Sequence, residues 1–443
     1  MMFRRSTSES SVGRTNSHGL IIGGGISGLL AAHALAGRFE RVTVLERFRY
    51  PADSIWRAPP VRRGVPQSRC IHLLMAAGAL AFDKLMPRWS EQLVALGAGP
   101  FDACADAALR FPAGWLHRTR SGITTYACSR ALFEKTLLGG LADTSTVHVR
   151  EDQKVLGLAS TPLGDRVIGV HTIERDAVRE TTHLANLVVD ASGEGSALPR
   201  WLSRLSNCGR LKVDKTVVES GTQYVSRWFI IEPEDAPNWH CLCIAPVAPA
   251  GLRSAMMVRA ERDLWGVVLL APVGEPLPSD DMAFLDFVAG LGDGELREAL
   301  ACARPVSPIL RYGATSNRMM HYERLPAWPS GLVAIGDSVC TLDPYFGLGM
   351  TATARGAVLL QAHLDRYGDD LSAHVFQKEL ASLNSEPWRL ASDRDPDGRL
   401  LARDRTHLSR LYEAAPLSPE VAHALLAVQH LLRPAETLKE LVL

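Results

Sequence analysis

Residues 20–46 read LIIGGGISGLLAAHALAGRFERVTVLE, and this stretch limits the possible folds more than any other. Leu20, Ile21 and Ile22 form an apolar run with the composition of a buried strand. Gly23, Gly25 and Gly28 follow at G-x-G-x-x-G spacing. Ala32 comes four residues later, and a second apolar run over 42–45 leads to Glu46. Gly23 permits a tight strand-to-helix turn, Gly25 lets a pyrophosphate approach the backbone, and Gly28 with Ala32 lets the helix lie against the first strand. The helix start, at Ile26 and Ser27, offers unpaired N–H groups and positive dipole to phosphates. Glu46, followed by Arg47, ends the second strand where a carboxylate can accept from an adenosine ribose and disfavours a 2′-phosphate. Strand, glycines, helix, strand and acid in one register predict a site for an ADP-containing dinucleotide. They do not choose between FAD and NAD.

After Glu46 the chain is dense in Arg and Pro, with prolines at 51, 59, 60 and 66, and reads as an extended loop. From Ile71 the spacing of Leu73, Leu74, Ala77, Leu80, Ala81 and Leu85 predicts a helix, with His72 as the polar residue at its start. Residues 108–128 alternate and predict two antiparallel strands. Ser129 is an expected N-cap. Arg130 then stands in a first helical turn, an end where the dipole disfavours cations, so an anion such as a cofactor phosphate is expected beside it. Strand-like runs at 146–149, 153–160 and 166–173 lead to LVVDASGEGS at 187–196. There a buried strand enters a tight turn, and backbone amides around Asp190, Ser192 and Gly193 can face a cofactor.

Residues 211–325 change character. Apolar runs at 217–231, 239–247, 253–260 and 264–271, separated by Pro and Gly turns, predict a mostly antiparallel sheet interrupted by a helix over 281–303. The tryptophans here suit a wall for an apolar ligand. Residues 331–337, GLVAIGD, form another buried strand ending in Gly336-Asp337. The loop 338–346 follows, and Gly347-Leu348-Gly349-Met350 opens a helix of small residues. Pro344 stiffens the approach, and this second helix start also suits negative charge. Residues 369–443 read as helical. The expected architecture is α/β. A Rossmann-like domain is assembled from 18–70, 105–200 and 328–368, with a β-rich substrate domain from 71–104 and 201–327, C-terminal helices over 369–443, and a disordered tail over 1–17.

The chain has 48 Lys+Arg against 48 Asp+Glu, so no bulk field favours nucleic acid or an anionic membrane. No run is long and apolar enough to span a bilayer, and Arg4-Arg5 precede polar residues where an export signal would be apolar. The eight cysteines show no C-x-x-C pair, which fits reduced thiols in a cytoplasmic protein, and no metal-ligand spacing is present.

Three elements together, the fingerprint with Glu46, VVDASGEGS, and GLVAIGDSVCTLDPYFGLGMT, resemble the class A FAD-dependent monooxygenases of aromatic hydroxylase fold. RRGVPQSRCIHLLMAAG, SRALFEKTLL and PWRLASDRD carry a closer resemblance to the squalene-epoxidase-like branch that includes polyether-pathway epoxidases. The resemblance spans about residues 19–435 and implies a glutathione-reductase-type FAD domain with an inserted antiparallel substrate sheet. It further implies that Gly23, Gly25, Gly28 and Glu46 hold the ADP half of FAD and that Arg130 lies near the phosphates. Asp337 would bind the ribityl or pyrophosphate portion, and Pro344, Gly347 and Gly349 would line the flavin ring. Asp190, Ser192 and Gly193 match the family's middle motif less closely, since Ala-Ser-Gly stands where Asp-Gly is usual. Cys70 stands where the family often has His.

In that family reduced flavin adds dioxygen to give an electrophilic hydroperoxide, which explains why no catalytic triad is visible. The implied activity is epoxidation or hydroxylation of an apolar small molecule of secondary metabolism. Electrons would come from NAD(P)H or a separate flavin reductase. The same fold serves halogenases, whose W-x-W-x-I-P motif is absent here, and dehydrogenases; a flavin-binding scaffold without turnover is the alternative from another class.

Overall fold

The computed structural model describes residues 17–51, 58–175, 179–205, 212–245, 253–313, 316–368, 371–392 and 405–441. The expected tail falls almost wholly outside them.

A five-stranded parallel sheet carries the dinucleotide motifs. Its order is Leu332–Ala334, Leu187–Asp190, His18–Ile22, Arg41–Leu45 and Val147–Arg150. The three central strands are almost wholly apolar because both faces are covered. Helix Ile26–Leu35 packs on one side with Arg130–Ala142 and Gly349–Tyr367, and their Leu29, Leu137 and Leu360 share one core with Leu20 and Val188. Ile22 pairs with Leu45 on one side and Asp190 on the other, so the fingerprint, Glu46 and the 190–196 turn all leave the same edge. A ligand in an open parallel sheet binds at that carboxyl edge.

A second, eight-stranded sheet lies across the carboxyl edge, antiparallel except where Cys241–Ile244 runs parallel to Ala107–Phe111. Its central strand Leu264–Pro272 is buried almost throughout, and alternation assigns its two faces. Trp265, Val267 and Leu269 pack on helices Asp281–Gly290 and Gly294–Ala301, while Val268 and Leu270 face the other way. Glu261, beside this strand, reaches back to the dinucleotide domain. Its carboxylate accepts from Ser129 N–H at 2.9 Å and Ser129 Oγ at 2.5 Å, and Ser129 Oγ in turn accepts from Leu132 N–H as the expected N-cap.

Three local expectations change. Ile71–Leu74 is a strand, paired with Thr124–Ser129, and the helix begins only at Ala76; sheet pairing overrides a helical spacing of leucines. The run at 217–231 divides at Gly221, whose φ is +69°. Lys215–Glu219 joins Ser316–Met320 in a small sheet, while Thr222–Ile230 joins the large one. The helix over 281–303 is two helices, each with its own cap. Asp280 accepts from Ala283 N–H and Asp293 from Leu296 N–H, and Gly292 turns the chain between them at φ +64°.

The C-terminal region forms helices Ala373–Ser392, Arg405–Ala414 and Pro419–Gln429, and Leu411 of the second packs on Val421 and Leu425 of the third. Among the described residues no helix is long and apolar enough to cross a membrane, and the described cysteines are all free.

Candidate functional site

A cavity of about 1180 Å³ runs between the parallel sheet's carboxyl edge, the large antiparallel sheet and the C-terminal helices. That exceeds the usual 300–1,000 Å³ of a small-molecule site, giving room for a dinucleotide and a second molecule. Ile26, Ser27, Arg130, Asp337, Pro344, Gly347, Gly349 and Met350, all expected at the site from sequence, lie on its wall.

At the fingerprint end, Gly23 and Gly28 take the backbone roles that their spacing implied. Gly23 takes φ +96°, and a Cβ on Gly28 would stand 1.8 Å from the Gly23 carbonyl oxygen. Helix Ile26–Leu35 starts at Gly25 with no side-chain cap and no acid in its first turn, so its free N–H groups await an outside acceptor. The Arg130 guanidinium stands directly over that helix start, with Nη2 3.4 Å from where a Gly25 Cβ would be. Gln67 links it to the far strand, accepting from Arg130 Nη1 at 3.5 Å and donating to Asp337 Oδ2 at 3.3 Å. Burial pushes the Asp337 carboxyl up, against the pull of Arg130 and Gln67. Gly336, at φ +67°, fits against Ser27, which brings the Gly-Asp turn onto the fingerprint helix.

Glu46 is buried and already engaged. It accepts from Gly24 N–H at 2.7 Å and Phe48 N–H at 2.9 Å, and Arg62 Nη2 lies 2.8 Å from it. Arg62 Nη1 reaches Glu134 at 2.7 Å, and Glu134 also accepts from Arg130 Nε at 3.0 Å. Two guanidiniums and two carboxylates thus form one buried chain. Burial alone would lower the Arg62 pKa, but Glu134 and Glu46 more than offset it and raise it. Tyr50 stacks under Arg62 at 4.2 Å and donates to the Gly24 carbonyl at 2.6 Å. Sequence reading gave Tyr50, Arg62, Gln67 and Glu134 no role. Arg62 sits in an Arg/Pro-rich loop beside the exposed Arg63 and looks no different from it. Only Glu134 left a sequence signal, four residues after Arg130 on a helix.

Other expected residues sit off the cavity wall. Arg47 is exposed, over the Phe48 ring. Asp190 is wholly buried, and its carboxylate accepts from Ser192 N–H and from the hydroxyls of Ser192 and Ser196, both at 2.5 Å. Burial raises its pKa despite those bonds. Together with Gly193, at φ +81°, these groups tie a turn beneath Gly23.

At the opposite end the wall formed by the large sheet is apolar. Helix Gly349–Tyr367 also begins without a side-chain cap or acid in its first turn, and a Cβ on Gly349 would meet nothing within 4 Å. Gly347 turns at φ +65° against Met75. Pro344 opens a short 3₁₀ turn capped by the buried Asp343, which accepts from Tyr345 N–H at 2.9 Å and from the Tyr224 hydroxyl. Leu73, Phe101, Leu109, Met256, Val268 and Leu270 make the facing wall. His72, on a strand and not at a helix start, projects toward the dinucleotide side. Its Nδ1 must donate to the Cys70 carbonyl at 3.0 Å, which leaves Nε2 an acceptor. Burial, then Arg130, hold its pKa at about 3, so the ring is neutral.

These residues fit an anionic dinucleotide. Two uncapped helix starts bare their backbone toward one cavity, a guanidinium stands over one of them, and an apolar chamber opens beyond the other. Residues 21–53 match the family model of the NAD(P)-binding Rossmann-like domain. Protein Rv3254 of Mycobacterium tuberculosis is 30% identical over 372 residues, covering 80% of this chain and 73% of that protein. Among solved structures, p-nitrophenol 4-monooxygenase PnpA from Pseudomonas putida superposes with a TM-score of 0.64 at 15% identity, covering 96% of this chain and 100% of that one. For pqsL, a probable FAD-dependent monooxygenase from Pseudomonas aeruginosa, the TM-score is 0.60 at 15% identity, with 92% and 99% covered. The flavin-dependent brominase Bmp2 gives 0.61 at 16% identity, with 94% of each chain covered. The protein belongs to the family of Protein Rv3254 and carries the class A FAD-dependent monooxygenase fold.

Proposed function

We propose that this protein is an FAD-dependent monooxygenase that places one oxygen atom from dioxygen into an apolar small molecule by epoxidation or hydroxylation. The observation that carries the reading is the continuity of one cavity, from Arg130 and the fingerprint helix start, past Gly347–Gly349, into a chamber whose sheet-side wall is carbon. Cofactor and substrate would share a single enclosed space.

Arg130 and the amides of Ile26, Ser27 and Gly28 would neutralise the pyrophosphate. Asp337 and His72 would accept from hydroxyls of the ribityl chain, and Glu46 would use its remaining acceptor capacity on the ribose. The open start of helix Gly349–Tyr367 would stabilise negative charge at the ring's pyrimidine edge. Bound FAD would supply the dioxygen chemistry; the protein's part is to orient the substrate and exclude water. With one dinucleotide fingerprint, NAD(P)H would visit transiently or a separate reductase would deliver electrons. A polyketide or terpenoid of secondary metabolism suits the size and carbon lining of the chamber, and free thiols suit a cytoplasmic setting.

The test is direct. Purified protein should be yellow, with FAD released on denaturation, and Arg130→Ala should lower FAD affinity at least about tenfold. With farnesol as a model polyene, NADPH and a flavin reductase, product formed under ¹⁸O₂ should carry one ¹⁸O atom. Oxidised but unlabelled product, or bromine incorporated when bromide is supplied, would replace this reading with a dehydrogenase or a halogenase.

A further inference from the structure

His430 follows the last turn of helix Pro419–Gln429, and its ring reaches across to the start of helix Ala76–Leu85. Nδ1 accepts from Ala76 N–H at 3.1 Å, and the His430 carbonyl accepts from Ala77 N–H at 3.2 Å. Met75, at the N-cap position of that helix, contributes no side-chain cap, so His430 does its work from 354 residues away.

A nitrogen that accepts from a backbone amide carries no proton. Burial, only partly offset by Asp102, keeps the ring's pKa at about 4, so it is neutral near pH 7. Its one ring proton is therefore on Nε2. His430 is 4% exposed, lines the cavity, and has no partner for Nε2 among the described residues. Met75, Ala103, Leu425 and Leu426 are among the carbon side chains on the same wall. An N–H on the wall of a cavity is open to an acceptor that enters it, and the bond from Ala76 N–H to Nδ1 fixes the orientation of the ring.

We propose that Nε2–H of His430 is the substrate-reading donor of the chamber, and that the substrate presents it with an uncharged acceptor oxygen, a ketone or ether on an apolar skeleton. Asp102 lies close enough to act on the ring and disfavours a carboxylate partner. This deepens the oxygenase reading and rests on it for the word substrate. His72 and His430 then hold opposite tautomers in one cavity, an acceptor on the dinucleotide side and a donor in the chamber.

The test uses the protein as purified, its FAD content measured, and two probes, 2-acetylnaphthalene and its carbonyl-free counterpart 2-ethylnaphthalene, titrated by calorimetry. The wild type should bind the ketone about tenfold more tightly than the hydrocarbon, as one added hydrogen bond allows. H430N keeps an acceptor for Ala76 N–H but cannot reach the chamber; it should retain FAD and thermal stability and lose the preference. H430Q places an amide N–H near Nε2 while giving up the cap; it should lose stability and keep the preference. In ¹⁵N-histidine-labelled wild type the Nε2–H resonance should move on addition of the ketone and stay put with the hydrocarbon.

Equal affinity for the two probes, a preference that survives in H430N, or an unmoved Nε2–H signal would overturn the proposal. So would loss of FAD in H430N, which would make the residue a cofactor contact. Absence of FAD from the wild type would overturn the oxygenase reading alone, because the two probes are compared by calorimetry without reference to flavin.

Discussion

At the fingerprint end of the cavity, Arg62, Arg130, Glu46 and Glu134 are linked by contacts of 2.7–3.0 Å within the protein interior. At the chamber end the sheet side of the wall is carbon, with neutral groups such as the His430 ring and the Tyr224 hydroxyl, and the C-terminal helices add Glu386, Arg389, Glu436 and Lys439. The first end keeps its charges because each has an opposite partner before any ligand arrives, so burial does not neutralise them. At the second end the buried His430 ring resolves the cost of burial by giving up charge, and the Arg389–Glu386 pair, 4.0 Å apart, is partly exposed. Fixed charge therefore marks where an anion is expected, and fixed neutral dipoles mark where an uncharged molecule is expected.

The sharpest way to break that contrast is to remove one member of the charge chain. Arg62→Met would leave Glu46 and Glu134 buried with one guanidinium fewer, and should destabilise the protein by about 3–5 kcal/mol in urea unfolding. A loss below about 1 kcal/mol would show that the network is not a structural unit. Next comes a pair of glycine substitutions. Gly28→Ala forces a Cβ onto the Gly23 carbonyl and should cost about 2–3 kcal/mol as well as FAD. Gly349→Ala meets no protein atom, so apoprotein stability should stay within about 0.5 kcal/mol while FAD affinity falls. Equal stability losses from both would erase the distinction between a glycine needed for packing and one kept bare for a ligand.

The last test is a pH dependence, small within any one pH unit. The folded pKa values of His72 and His430, about 3 and about 4, lie below the ordinary 6.5. Their contribution is present above pH 6.5 and is lost as pH falls toward those values, because the unfolded chain binds the protons first. Each imidazole should contribute a slope of up to about 1.4 kcal/mol per pH unit between about pH 6 and 4. The raised pKa values of Asp190, Asp337 and Glu261 act with the opposite sign, so the informative quantity is wild type minus His72→Asn. If that difference does not change with pH, His72 is not held neutral by its site.

How legible all this was depends on the range of the interactions. The fingerprint needs only residues 20–46, and strand, turn, helix and strand appear where the glycine spacing put them. The start of helix Arg130–Ala142 was equally local, with Ser129 capping it as its residue type implied. His72 was misjudged for the opposite reason. Whether Ile71–Leu74 is strand or helix depends on pairing with residues more than fifty positions away. The split of 217–231 likewise turns on two different partner strands.

The sequence by itself determined the dinucleotide end, because a tight turn, a bare helix start and a carboxylate in register are products of steric rules acting within a few residues. The resemblance of three distant segments to one family implied a shared site, and the parallel sheet brings the ends of their strands to one edge. Only the tertiary structure decided that Glu46 and Arg62 face each other, that Asp190 closes a turn and lies off the cavity wall, and that His430 meets Ala76. The His430–Ala76 contact spans 354 positions, and nothing in the local spacing of an Arg in a loop or a His after a helix distinguishes a buried partner from an exposed one.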